Sequence, residues 1–177
     1  MQQREVEQIY YSSTIPSPIG PLTMATDKDA ICLIGLWIEG QKHFGGAIKD
    51  QLQEQDDLPI FQDVKDWLDR YFKGQKPSSD ELPLKPMGTD FRLTVWEELL
   101  KIPYGETTCY GAIAKNIAKD KEKAKHSSRA VGGAVGHNPI SIIIPCHRVL
   151  GANGQLTGFS GGLENKIKLL ALEKEFS

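Results

Sequence analysis

Three cysteines in 177 residues, Cys32, Cys109 and Cys146, are too few, too scattered and odd in number to form a disulfide framework. No Cys-x-x-Cys spacing offers a metal site, and no metal or organic cofactor is expected. Such cysteine usage suits a reducing compartment, so a cytoplasmic location is expected. No stretch approaches the roughly 18 to 20 apolar residues of a membrane-spanning helix, so no membrane partner is expected. The opening Met1-Gln2-Gln3-Arg4-Glu5 leads into no apolar run, and no secretory signal is expected there. No internal repeat is visible. Large net charge is also missing: the formal value of −2, taken alone, argues against a nucleic-acid partner.

That average conceals a split. Residues 1–88 carry nine Lys and Arg against fourteen Asp and Glu, a net of −5; residues 89–177 carry twelve against nine, a net of +3. Within the second half, Lys115, Lys119, Lys121, Lys123, Lys125, Arg129 and Arg148 face only Asp120 and Glu122. Such an excess attracts phosphates, or else marks a solvated helix–turn surface.

With 40% hydrophobic residues the chain has ample material for a core. Residues 1–88 predict an N-terminal α+β domain ending in a linker. Ile9–Ile15, Leu22–Thr26 and Ile31–Ile38 read as strands, punctuated by Pro16, Pro18, Gly20, Pro21 and Asp27-Lys28-Asp29. The spacing of Val64, Trp67, Leu68, Tyr71 and Phe72 predicts a helix over Phe61–Phe72, stopped by Gly74. Leu82–Gly88, with two prolines, predicts an extended linker.

Residues 89–177 read as mostly helical. Thr89 or Asp90 caps a helix whose core face is Phe91, Val95, Trp96, Leu99 and Leu100. After Pro103-Tyr104-Gly105 come a short helix over Tyr110–Ala118, a charged turn to Lys125, and a third helix over Arg129–Gly136 capped by Ser127 or Ser128. Ile140–Ile144 predicts a buried strand ended by Pro145; a glycine-rich loop and an amphipathic helix through Ile167, Leu169, Leu170 and Leu172 follow. Two short helices across a turn, then a strand and loop, suggest a winged helix-turn-helix.

The run Arg129-Ala-Val-Gly-Gly-Ala-Val-Gly136 is unusual for a helix, since each glycine costs about 1 kcal/mol relative to alanine. One reading is tight packing on a neighbouring helix. The other is a slim DNA-facing helix that reads shape and phosphates, with Arg129 as its one long probe. In Ile142-Ile-Ile-Pro-Cys-His-Arg-Val149, a cysteine after a buried strand is ordinarily inert packing. The adjacent His147 invites a Cys–His dyad. Neighbouring side chains on an extended strand point to opposite faces, so a dyad needs a bend at Pro145 or a bridging water.

The run Ile144-Pro145-Cys146-His147-Arg148-Val149 resembles the active-site signature of the O6-alkylguanine-DNA alkyltransferases, also called methylated-DNA–protein-cysteine methyltransferases. The resemblance continues, in the family's order, through Tyr110-Gly-Ala-Ile-Ala114, Arg129-Ala-Val-Gly-Gly-Ala134, Asn138-Pro139, Phe159-Ser-Gly-Gly162 and Leu169-Leu-Ala-Leu-Glu173. It implies an α+β protein with an N-terminal ribonuclease-H-like sheet domain and a C-terminal winged helix-turn-helix alkyltransferase domain. It further implies a monomer acting on double-stranded DNA containing alkylated bases, single-turnover transfer from O6-alkylguanine and O4-alkylthymine, and no cofactor.

The resemblance also assigns roles. Cys146 accepts the alkyl group; His147 deprotonates it through a water and is oriented by Glu173. Tyr110 helps protonate the departing guanine, and Asn138 holds the turn before the active site. Arg129 fills the gap left by the flipped nucleotide, and Ser128, Ala130, Gly132 and Gly133 lie along the DNA-facing helix. Pro145, Val149, Phe159 and Ser160 shape the base pocket; Phe159 stands where some relatives have tyrosine. Two other classes use parts of the same pattern, a non-catalytic winged-helix regulator and a cysteine hydrolase. The regulator has no use for Cys146, His147 and Glu173 together; the slim helix beside a basic turn argues against the hydrolase.

Overall fold

A computed structural model describes residues 9–120 and 125–177; the opening five residues and Lys121, Glu122 and Lys123 of the charged turn lie outside the described residues. The first half forms a four-stranded sheet in the order β3-β2-β1-β4, from β1 (Tyr10–Ile15), β2 (Leu22–Thr26), β3 (Leu33–Ile38) and β4 (Leu52–Glu54). β1–β2 and β2–β3 are antiparallel, whereas β4 joins β1 in parallel. Alternation predicts the first three strands but not β4, whose three residues Leu52-Gln53-Glu54 are too few to show a pattern. A register shift at Ala25/Thr26 lets β3 feed two cores. Leu33, Leu36 and Ile38 join the main core, whereas Ile34 and Trp37 pack with Ala25 and Ile48 on the other face.

Helix α1 (Pro59–Phe72) covers the main face with Phe61, Val64, Trp67, Leu68 and Tyr71. It starts two residues before the predicted Phe61 because Pro59 occupies the first turn, where a missing N–H is harmless. The chain leaves through Gly74 at φ 74°.

The second half holds α2 (Asp90–Leu100), α3 (Tyr110–Lys119), α4 (Ser128–Gly136) and α5 (Leu163–Glu175), with a small parallel pair of β5 (Thr108–Cys109) and β6 (Val149–Leu150). Thr89 caps α2 by accepting the Arg92 N–H at 3.3 Å, and Ser127 caps α4 by accepting that of Ala130 at 3.1 Å. Buried Trp96 ties α2 to α4, its indole N–H donating to the Ala134 carbonyl at 2.9 Å. The fold is α+β, a sheet domain followed by a helical one. Among the described residues no helix is long and apolar enough to cross a membrane.

The halves are joined along the free edge of β3. Leu33 donates its N–H to the Pro83 carbonyl and accepts that of Lys85, both at 2.8 Å. Leu36 donates to the Pro139 carbonyl at 2.8 Å and accepts the Ser141 N–H at 2.9 Å. The predicted linker and the chain just ahead of Cys146 thereby satisfy backbone groups that an open strand edge would expose.

One expected element is absent. Ile140–Ile144 is not a strand: after the single bridge from Ile140 to Leu36 the chain turns, with Ile142 at φ 70°. A positive φ is costly for a β-branched residue and persists only where the surroundings impose it. Asn138 imposes it. Its Nδ2 donates to the carbonyls of Ile144 at 2.8 Å and Ile140 at 3.3 Å, and its Oδ1 accepts the Ile140 N–H at 3.0 Å. A fully buried turn and a buried strand show the same apolar run, so periodicity alone does not separate them. Asn138→Ala would leave these buried backbone groups unpaired, and urea denaturation should show a loss of about 3 kcal/mol.

Candidate active site

The turn held by Asn138 delivers the chain through Pro145 into a single 3-10 turn, Cys146–Arg148. Cys146 therefore does not continue a strand, and side-chain alternation does not hold it and His147 on opposite faces. The Cys146 thiol is 2% exposed. Burial pushes it up to about 11; the nearby Asn138 amide and the charge of Lys166 pull it partway back. At neutral pH it is a protected thiol that needs a base.

His147 is buried beside it, and Glu173 from α5 is 0% exposed. His147 Nε2 lies 2.7 Å from Glu173 Oε1. Burial pushes the Glu173 carboxyl up, but hydrogen bonds from His147 and Arg148 outweigh it and hold the group at about 2. An ionised carboxylate only accepts, so Nε2 carries the proton and the lone pair of neutral His147 sits on Nδ1. Nδ1 is buried without a hydrogen-bond partner among the described residues. Burial also lowers His147 from its ordinary 6.5, favouring the neutral ring.

Three further groups in this cluster were not among the expected site residues. Arg148, read from sequence as part of the basic surface, is buried instead. Its Nε donates to both Glu173 oxygens at 2.9 and 3.1 Å, its Nη2 to Oε1 at 2.8 Å, and its Nη1 to the Ile102 carbonyl at 2.6 Å. Tyr71, on α1 of the sheet domain, donates its hydroxyl to Glu173 Oε1 at 2.7 Å. Lys166 is 1% exposed and donates to the Val149 carbonyl at 2.6 Å. The buried face of α5 is thus Lys166, Leu169 and Glu173, while Ile167, expected inside, is 47% exposed. The seven-residue spacing of Lys166 and Glu173 was the available signal; two charges on one helix face ordinarily mean solvent.

A cleft of about 350 Å³ opens between α4 and the glycine-rich loop, lined by Gly132, Gly133, Gly136, Phe159 and Ser160 and by Lys42 and His43 of the sheet domain. Ser160 Oγ is buried there without a partner among the described residues. The Lys42 N–H donates to the Ser160 carbonyl at 2.9 Å, tying the loop to the sheet domain. Half-buried Tyr110 begins α3, its hydroxyl 3.0 Å from Thr157 Oγ1 on the same loop. Buried Val149 lies in the main core. Pro145 is not brought to this cleft; it lines a separate cavity of about 160 Å³ with Tyr71, Tyr104 and Arg148.

The glycines of α4 are not explained by internal packing. The helix buries Val131, Ala134 and Val135, whereas a Cβ added at Gly133 or Gly136 would meet no heavy atom within 4 Å. At Gly132 the nearest atoms would be on the Tyr110 ring at 3.7 Å, an ordinary contact. Glycine's helix penalty is therefore accepted on an open face. Arg129 and Ser128 are exposed at the start of that helix, and Ala130 is half-buried.

These titrations set an acid limit. The low carboxyl of Glu173 contributes stability in full above its ordinary 4.5 and loses it as pH falls through about 2. That difference corresponds to roughly 3 kcal/mol. His147, lowered by burial, acts in the same direction from 6.5 downward. Urea midpoints recorded from pH 8 to pH 2 should fall steadily on acidification, and Glu173→Gln should flatten the portion below 4.5.

Comparison with known proteins accounts for both halves. Residues 9–86 match the 6-O-methylguanine DNA methyltransferase ribonuclease-like domain, and residues 90–175 match the DNA binding domain of the same name. The chain is 46% identical over 164 residues to the methylated-DNA–protein-cysteine methyltransferase of Haemophilus influenzae, covering 93% of this chain and 86% of the relative. It is 44% identical to that of Methanosarcina acetivorans, covering 92% and 97%. Among solved structures, Mycobacterium tuberculosis OGT in complex with DNA superposes with a TM-score of 0.80 at 43% identity, covering 94% of each chain. The chain belongs to the methylated-DNA–protein-cysteine methyltransferase family.

Proposed function

We propose that this protein repairs alkylated double-stranded DNA by moving the alkyl group of O6-alkylguanine, and of O4-alkylthymine, onto Cys146 Sγ once per molecule. The observation that carries this reading is the buried Cys146 thiol beside a neutral His147 whose Nε2 is committed to Glu173, leaving Nδ1 as the base. The names of the relatives and the DNA complex of the Mycobacterium tuberculosis protein support the same chemistry. A regulator would have no use for this buried relay.

The damaged base must first leave the duplex, at a cost of a few kcal/mol. Arg129 takes the vacated place, while Ser128, Ala130, Gly132 and Gly133 let the backbone of α4 approach the groove closely. The base enters the cleft beside Phe159 and Ser160, whose hydroxyl and neighbouring backbone contact it, and Val149 contributes backbone near the thiol. His147 takes the Cys146 proton through one water. The thiolate attacks the alkyl carbon, the carbon–sulfur bond forms, and the carbon–oxygen bond breaks with its electron pair leaving on O6. Tyr110 assists protonation of the departing base. Asn138 and Lys166 stabilise the transient thiolate. The product is a thioether, which offers no leaving group for a second step. The protein acts as a monomer in the cytoplasm.

Incubation with excess duplex containing O6-methylguanine should give a burst equal to the protein concentration and then a flat line. Peptide mapping should place one methyl on Cys146 and none on Cys32 or Cys109. Many equivalents repaired per chain, or methylation at another cysteine, would contradict the mechanism.

A further inference from the structure

The relay above is built wholly from the C-terminal half except at one atom. Among the described residues, Tyr71 is the sheet domain's one side chain hydrogen-bonded to Glu173. Its hydroxyl is 2.7 Å from Glu173 Oε1 and 3.4 Å from His147 Nε2. The ring is 1% exposed and fixed on three sides. Trp67 stacks on it with centroids 5.5 Å apart, and Phe72 and Tyr104 meet it edge-on at 5.3 and 5.7 Å.

Glu173 Oε1 thus has three kinds of donor arriving from different directions: the Tyr71 hydroxyl, the His147 imidazole and the Arg148 guanidinium. His147 and Arg148 are neighbours on one short turn and move together. Tyr71 is anchored in another domain and gives the carboxylate a reference independent of that turn. We infer that Tyr71 is a positioning residue, through which the sheet domain fixes the orientation of the Glu173–His147 pair and so the reactivity of Cys146. The inference rests on the alkyl-transfer reading above, and it gives the ribonuclease-like domain a part in the chemistry.

Removing the hydroxyl has a definite sign. The carboxylate would share its charge with one donor fewer and hold a protonated His147 more tightly, so His147 would lose its proton at higher pH. The other charged and titratable groups around the pair stay in place: Cys146 and Arg148 on their turn, Lys166 and Glu175 on α5, Tyr104 after α2, and Lys76 over the Tyr104 ring at 5.6 Å.

The test compares the wild type with Tyr71→Phe, which keeps the ring packing, and with Trp67→Phe, which disturbs the same packing without touching Glu173. Benzyl transfer from free O6-benzylguanine is followed by intact mass across pH 5–9, so that DNA binding plays no part. Tyr71→Phe should transfer about tenfold more slowly on the plateau, with its acid limb moved upward by roughly half a unit. Trp67→Phe should keep the wild-type limb even if its melting temperature falls. Nitrogen-15 NMR of the folded proteins should show neutral His147 as the Nε2–H tautomer in both, with its protonation midpoint moved upward in Tyr71→Phe. A wild-type profile and His147 midpoint in Tyr71→Phe, or a rate loss matching only its loss of folded protein, would overturn the inference. A wild type that takes up no benzyl group on Cys146 would instead overturn the alkyl-transfer reading on which the inference stands.

Discussion

Placing an ionised carboxylate in a protein interior is costly unless its lone pairs are met by good donors. Glu173 meets that condition with Tyr71, His147, the Nε and Nη2 of Arg148 and the Gly105 N–H at 3.3 Å. Those donors come from α1, from the loop after α2 and from the turn that carries Cys146. Satisfying this one charge therefore brings the two halves of the chain together and fixes the tautomer of His147. The packing of α5 follows from it too, since the helix turns Lys166 and Glu173 inward and leaves Ile167 in solvent.

A second constraint governs the thiol. Burial keeps Cys146 protonated at neutral pH, and its proton leaves only where a base and a polar surround are ready. If Cys146 acts once per molecule, as proposed, it gains from such protection, because adventitious alkylation would consume it. The cost appears on α4, where three glycines weaken a nine-residue helix to keep its open face thin. Stability is spent on that face and recovered beneath it, through Val131, Val135 and the Trp96 bond to Ala134.

Much of this was legible in the sequence. The strands β1 to β3 and the helices α1 to α5 follow from alternation, helical spacing and the Thr89 and Ser127 caps. Cys146, His147 and Glu173 follow from the motif. What was not legible depends on contacts between distant residues. Tyr71 lies 102 positions from Glu173 and reads as an ordinary core aromatic. Arg148 reads as one more surface cation because its partner is 25 residues away. The run Ile140–Ile144 reads as a strand because a turn held by the Asn138 side chain is as apolar as a buried strand. The β4 edge strand carries no pattern, because half of its pairing is to solvent.

The central claim is that Glu173 organises the site that makes Cys146 reactive. It is tested most directly by the rate of methyl transfer from O6-methylguanine duplex to folded Glu173→Gln at pH 7.5, read by intact mass. The account predicts a fall of about a hundredfold or more with the final uptake unchanged at one methyl per folded chain. A folded Glu173→Gln that reacts at the wild-type rate would contradict it.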